Sequence, residues 1–185
     1  QSTANICRQI GGYPGPCYNH PGALKARQNF VTAAVKHFAK HPALSMWDVW
    51  NEPENNLMTR EPDCKTLFCH CEECRKTFIP YLKQKYESLE KLNSVWGRCY
   101  ADWEEAEIPV QASNISDFID WREFHLDKLT AEANWRLASV AENDPEHIRY
   151  LHVVANSITC FNSVSCVDDF DMAKRSEEHM SELQS

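Results

Sequence analysis

His41-Pro42-Ala43-Leu44-Ser45-Met46-Trp47-Asp48-Val49-Trp50-Asn51-Glu52-Pro53 is the stretch on which the fold of this chain turns. Leu44 to Trp50 is short, apolar and aromatic and lies between two prolines, which predicts a buried strand. That strand runs straight into Asn51-Glu52, and Pro53 has no N–H with which to continue a ladder. Upstream, Phe30, Val31, Ala34, Val35 and Phe38 recur at helical spacing within a helix predicted over 23–40, which His41-Pro42 ends. Downstream, Glu72 to Tyr86 reads as a helix with Cys74, Phe78, Tyr81 and Leu82 on one side. Ser88 caps a short helix to Trp96, closed by Gly97. Ser116 opens a long helix to about Ala141, bearing Phe118, Trp121, Leu129, Ala133, Leu137 and Val140, and Asn143-Asp144-Pro145 breaks it. Ile148 to Ala155 reads as a second short buried strand, and another helix begins at Asp168. Residues 7–22, which hold all but one of the glycines, read as a loop, and 54–68 as polar and irregular.

Strands separated by helices argue for an α/β fold, a parallel sheet with helices outside. Two strands cannot close a barrel, so the expectation is about a quarter of a (β/α)8 barrel with insertions. In such barrels the chemistry sits at the C-terminal ends of the strands, where Glu52 falls. A carboxyl group held there between Trp rings is expected to be partly desolvated, which disfavours its charged form. That suits a general acid for a glycosidic oxygen. Asn51, beside it, is placed to hydrogen-bond the sugar hydroxyl next to the reacting carbon. The competing reading of Asn-Glu-Pro is a helix-starting turn, since Glu and Pro both favour a first turn. The buried strand in front of it weighs against that reading.

The chain has nine cysteines, an odd number, and three of them crowd into Cys69-His70-Cys71-Glu72-Glu73-Cys74. Thiolates in a C-x-C-x2-C pattern can share one tetrahedral zinc and are too close in sequence to pair comfortably as disulfides. The fourth ligand is open on spacing alone, with Cys17, His70, Cys64 and Cys7 as candidates. Metal-bound thiolates fit a reducing compartment, so the cytoplasm is the expected location. Gln1 to Ile6 carries no basic region followed by an apolar stretch, so no signal peptide is read there. A net charge of −8 argues against nucleic acid and anionic membrane as partners. No apolar run approaches the roughly 20 residues that cross a bilayer. Six Trp are a rich supply of the flat apolar faces that sugar-binding clefts use, although most are expected in the core.

His41 to Glu52 resembles the segment of family 42 β-galactosidases that ends in their acid/base glutamate. Cys74-Arg75-Lys76-Thr77-Phe78, the stretches Tyr81–Tyr86 and Leu89–Gly97, and Trp103 before Ile108-Pro109 are similar to the same family. The resemblance spans roughly Gly11 to Lys174. It implies that the first strand is barrel strand four and the second strand five, that Glu52 is the general acid/base of a retaining glycosidase, and that the substrate is a β-galactoside. Cys17-Tyr18-Asn19-His20-Pro21 resembles the segment that supplies the fourth cysteine in zinc-bearing members. By that likeness Cys17, Cys69, Cys71 and Cys74 hold one structural Zn2+ on an insertion. The whole enzyme is expected to be a homo-oligomer.

The family continues Asn-Glu-Tyr-Gly where this chain has Asn-Glu-Pro-Glu. Asn-Glu-Pro also occurs in cellulases and mannanases of the same clan, so a β-glucanase or mannanase is an alternative, as is a catalytically silent carbohydrate-binding protein. The family nucleophile is a Glu on strand seven. Asp48, Glu54 and Asp168 are the nearby carboxylates here, and none has its context. The last eleven residues, Arg175 to Ser185, resemble a translated sequencing adapter with Met180 as the one departure. They are set apart from a catalytic-domain piece, 1–174, that is expected to be inactive by itself.

Overall fold

A computed structural model describes residues 17–53, 69–111, 114–153, 168 and 170–174. The expectations for 54–68, for the second strand beyond Val153 and for 175–185 lie outside those residues, as do Cys7 and Cys64. Helix α1 spans Pro21–Phe38, strand β1 Met46–Asn51, α2 Glu72–Tyr86, α3 Leu89–Trp96, α4 Ile115–Asn143 and strand β2 Ile148–His152, with a 3-10 turn at Trp103–Glu105. The chain divides into two compact units, Gln1–His20 with Asn56–His125, and Pro21–Asn55 with Leu126–Ser185. No helix among the described residues is long and apolar enough to cross a membrane.

In the first unit the sequence sets each helix end by a separate device. Cys71 caps α2, its sulfur accepting the Cys74 N–H. Ser88 caps α3 by accepting from Lys91 N, and Gly97 closes that helix at φ 62, a backbone conformation that glycine adopts without a Cβ clash. The helix expected to open at Ser116 begins one residue earlier, at Ile115, and Asn114 caps it, its Oδ1 accepting the Ser116 N–H at 3.0 Å. An amide oxygen one residue before the helix reaches the N2 donor, which a Ser already inside the first turn cannot do. The core is built from Phe78, Leu82, Leu92, Trp96, Trp121 and Phe124, all buried. The Phe78 ring meets Trp121 edge-on at 4.9 Å and Phe124 at 5.2 Å.

Asp120 is sunk in that core, 2% exposed. It accepts from Tyr86 Oη at 2.6 Å, Trp96 Nε1 at 2.7 Å and Lys85 Nζ at 2.7 Å, and so ties α2, α3 and α4 together. Burial and the adjacent Asp120 carboxylate push the Tyr86 phenol up to about 12. Burial opposes the Lys85 charge, but Asp120 and Glu123 more than offset it and raise that ammonium above its ordinary range.

In the second unit β1 and β2 pair in parallel, Met46 with Ile148 and Asn51 with His152, with an irregularity between Asp48 and Trp50. Parallel neighbours joined through α2, α3 and α4 are the βαβ order expected from the sequence. The strands were expected to be buried, and they are not: no residue of either is buried. Only one strand-to-strand pairing exists among the described residues, so each strand keeps an edge without a neighbour. α1 differs from expectation for a related reason. Of its apolar positions only Val35 is buried, while Phe30 is 73% exposed. Nothing described packs over the Phe30 side.

α1 is joined to the second part of α4 through Arg27, whose Nε and Nη2 reach Glu132 at 2.5 and 3.0 Å, and through Thr32 Oγ1, 3.1 Å from Ser139 Oγ. Leu129, Ala133, Leu137 and Val140 are buried, as the helical period predicts. Residues 170–174 are helical behind Asp168, whose Oδ1 accepts the Asp171 N–H at 3.0 Å.

Two outcomes are expected. Asp120→Ala leaves the buried Tyr86 phenol and Trp96 indole N–H without their acceptor and takes one of two carboxylates from Lys85, so unfolding in urea followed by Trp fluorescence should show a loss of roughly 2–4 kcal/mol. A loss under about 1 kcal/mol contradicts the role given to Asp120. Burial pushes Glu132 up, but Arg27, the Trp135 indole and Arg136 together more than offset it, so its folded value lies below the ordinary carboxylate value. The stability it contributes is therefore complete above about pH 4.3 and is lost as pH falls through the lowered folded value. The difference between the parent protein and Glu132→Gln, measured at a series of pH values, should shrink as pH falls below that point. A difference that stays constant removes the linkage.

Candidate metal centre and catalytic strand

Cys17, Cys69, Cys71 and Cys74 come together in the first unit. Their Sγ atoms all lie within 4.8 Å of one another and all four residues are buried. None is in a disulfide. Cys17 Sγ is 3.3 Å from Cys74 Sγ and 3.6 Å from Cys71 Sγ. The local chain makes this possible in two steps. The spacing of Cys71 and Cys74 puts both sulfurs at the N-terminus of α2, and a turn at Cys17, closed by His20 N to Cys17 O at 3.2 Å, brings the fourth.

Backbone and side-chain N–H groups point at these sulfurs. Asn19 N donates to Cys17 Sγ at 3.4 Å, Asn19 Nδ2 to Cys74 Sγ at 3.2 Å, and Cys74 N to Cys71 Sγ at 3.4 Å. Such donors favour the thiolate over the thiol. The four thiols hold their protons unequally. Cys17 and Cys71 are lowered, Cys17 chiefly by hydrogen bonding with Cys69 and Cys71 chiefly by hydrogen bonding with Cys17. Cys69 and Cys74 are pushed up, each chiefly by its hydrogen bond with Cys17. A cation ends that competition by letting all four ionise. The four sulfurs can hold a metal ion; His70 is exposed and outside the group.

Asn51 and Glu52 stand at the C-terminal end of β1, in the second unit. The Glu52 N–H donates to His152 O at 2.7 Å as the last rung between the strands. Glu52 has φ 50, in the left-handed region that a residue with a Cβ rarely occupies, and Pro53 after it is buried. The Glu52 side chain is exposed, so the described residues do not supply the desolvation expected of flanking Trp rings. Those rings are engaged elsewhere. Trp47 Nε1 donates to Asp144 Oδ2 at 2.8 Å, and the Trp50 ring lies under the Arg136 guanidinium at 4.3 Å. Asp48, one of the three carboxylates weighed as a nucleophile, has its Oδ2 3.8 Å from His152 Nδ1, and Asp168 is a helix cap. Glu54, the third, lies outside the described residues.

Several residues that build these sites were not singled out from sequence. Asn19 gives two of the hydrogen bonds to sulfur, and its place inside the Cys17 segment was the available signal. Glu132 and Arg136 sit four residues apart on the buried side of α4, and charges at core positions of a helical period are a readable anomaly. Arg27 and Asp144 carry no such mark.

The sequence profile of glycoside hydrolase family 42, described as β-galactosidase, matches residues 2–182. The β-galactosidase bgaB of Geobacillus kaustophilus is 31% identical over 134 residues, which cover 68% of this chain and 19% of that protein. The β-galactosidase BgaA of Planococcus sp. (strain 'SOS Orange') is 29% identical over 136 residues, covering 66% of this chain and 18% of that one. Among solved structures, the apo exo-carrageenase GH42 from Bacteroides ovatus is similar with a TM-score of 0.70 at 21% identity, over 92% of this chain and 24% of that one. The β-galactosidase from Bacillus circulans sp. alkalophilus gives 0.61 at 23% identity, over 86% of this chain and 23% of that one. These likenesses make the parallel pair and its helices part of a (β/α)8 barrel, the fold expected from the order of strands and helices. The chain spans about a fifth of the length of the curated relatives it matches. It belongs to glycoside hydrolase family 42, the β-galactosidase family.

Proposed function

We propose that this chain is the acid/base portion of a retaining glycoside hydrolase that removes terminal β-D-galactosyl residues from β-galactosides. The observation that carries the reading is Glu52 at the C-terminal end of a parallel strand, directly after Asn51, in a chain of this family. Glu52 protonates the glycosidic oxygen as the bond breaks and later takes a proton from the water that attacks the glycosyl-enzyme. The carboxylate that forms the glycosyl-enzyme must lie about 5 Å from Glu52. In this reading it comes from parts of the enzyme outside the span shared with the relatives. Asn51 binds the hydroxyl beside the reacting carbon. The whole enzyme is read as a cytoplasmic homo-oligomer acting on a carbohydrate.

The metal in this reading is one structural Zn2+. A tetrahedron of sulfurs around zinc has edges of about 3.8 Å, given Zn–S bonds of about 2.3 Å. The observed separations of 3.3 and 3.6 Å are a few tenths of an ångström shorter, so the sulfurs would have to spread only slightly to close on the ion. Cys17, Cys69, Cys71 and Cys74 would hold the ion and close its coordination. It would supply a cross-link between the Cys17 turn and the start of α2, and no reacting group.

Two experiments test these assignments. Metal analysis of the enzyme, purified without added zinc, should find about one equivalent per chain, and Cys74→Ser should lose it together with thermal stability. Finding no metal, with all four thiols freely titratable, removes the zinc assignment. Glu52→Gln should lower turnover of substrates with poor leaving groups by ~10²–10⁴-fold, with partial rescue of the second step by azide. Full activity of that variant on lactose-like substrates moves the acid/base role to another carboxylate.

A further inference from the structure

We propose that Arg136 is a positioning residue for the acid/base carboxylate: its guanidinium, gripped by Glu132 and laid on Trp50, fixes how β1 ends and hence where Glu52 points. The proposal rests on the assignment of Glu52 as the acid/base.

Trp50 precedes Glu52 by two residues. The Arg136 guanidinium carbon lies 4.3 Å from the centroid of the Trp50 ring and 5.0 Å from that of Trp135, within stacking range of both indoles. Its Nη2 donates to Glu132 Oε1 at 3.0 Å. Glu132 is in turn held by Arg27 from α1, at 2.5 and 3.0 Å, so the carboxylate cannot follow if the guanidinium drifts. Glu132 is only 3% exposed and Arg136 only 15%, so water screens this ion pair little.

The strand shows why such a grip is needed. In a regular strand, residues three apart face opposite sides. Yet Trp47 bonds Asp144, just past the end of α4, while Trp50 lies against Arg136 within α4. The register irregularity between Asp48 and Trp50 produces that change of phase. It also sets the direction in which Asn51 and Glu52 leave the sheet. Glu52 then takes φ 50, a strained conformation for a residue with a Cβ that persists only where its surroundings hold it. On one side the holding contacts are the His152 carbonyl and buried Pro53. On the other is Trp50, and Trp50 is held by Arg136. Without the stack, the irregularity and the strained residue can relax together, which moves the carboxyl group.

The test is made in the full-length enzyme with Arg136→Met, Arg136→Lys and Trp50→Phe, reading kcat/KM for lactose and for 2,4-dinitrophenyl β-galactoside. The first substrate needs a proton on its leaving oxygen and the second does not. A misplaced acid is expected to cut the lactose value ~10–100-fold and the dinitrophenyl value less than about threefold in both Arg136 variants. Lysine keeps the charge for Glu132 but offers no flat face to the indole, so it should not rescue. Trp50→Phe keeps a flat face and should stay within about threefold of the parent on both substrates. Equal losses on the two substrates, or lactose activity retained by Arg136→Lys, overturn the proposal. If Arg136→Met does not fold, Arg136→Lys is read by the same criterion. Glu52→Gln in the same series separates the two failures. If it lacks the leaving-group dependence, the acid/base assignment falls. If it has the dependence and the Arg136 variants lack it, only the positioning role falls.

Discussion

Glu132 is a carboxylate on the buried side of α4, and an unpaired charge at that depth costs several kcal/mol. The second unit is arranged around answering it. Arg27 comes from α1 and Arg136 from the next turn of α4, and the planar cation that results is also the surface on which Trp50 rests. One buried charge therefore fixes a helix against a helix and a strand against both. The first unit solves the same problem with a different residue of the same helix. Asp120 is satisfied by an ammonium, a phenol and an indole drawn from α2 and α3. A helix with apolar residues alone at these positions would pack, but it would leave its neighbours freer to slide.

Most of the architecture was legible because it is written in local rules. α2 runs from Glu72 to Tyr86 and α3 ends at Trp96 before Gly97, as caps and period require. The start of α4 lies one residue before Ser116, since Asn114 and Ser116 both have capping chemistry and only geometry separates them. Burial was the least legible property. Leu44 to Trp50 has the composition of a core strand, but burial depends on what stands on each side of it. The strand pair meets the α4 side through Trp47 and Trp50 but has no further strand at either edge among the described residues, and the Phe30 side of α1 is exposed. Composition reports what a segment is suited to, and not whether its partners are at hand.

The candidate sites divide along the same line. Four cysteines in one group could be read because thiolates at C-x-C-x2-C spacing have few other uses, and Cys17 followed from the resemblance of its segment. The position of Glu52 at the C-terminal end of β1 could be read because an apolar run ends there and Pro53 cannot continue the ladder. Neither the left-handed backbone of Glu52 nor the cation beneath Trp50 could be read, because both arise from the register of β1 against β2 and the depth of α4. Those are properties of assembled elements, with no expression in any single segment.

The make-up of the sulfur group has one more consequence. A cage of four thiolates selects by softness and by tetrahedral preference, with no oxygen or imidazole donor to bias it toward harder ions. Cadmium, cobalt(II) and copper(I) are therefore natural competitors for the place, and none of the four ligands lies on the strand that carries Glu52. Cobalt(II) alone of the three has unpaired d electrons, so it would give the protein colour and paramagnetism without touching the strand that carries Glu52. The cage is thus a built-in position for a spectroscopic reporter on the first unit, and also the point at which toxic soft metals would enter.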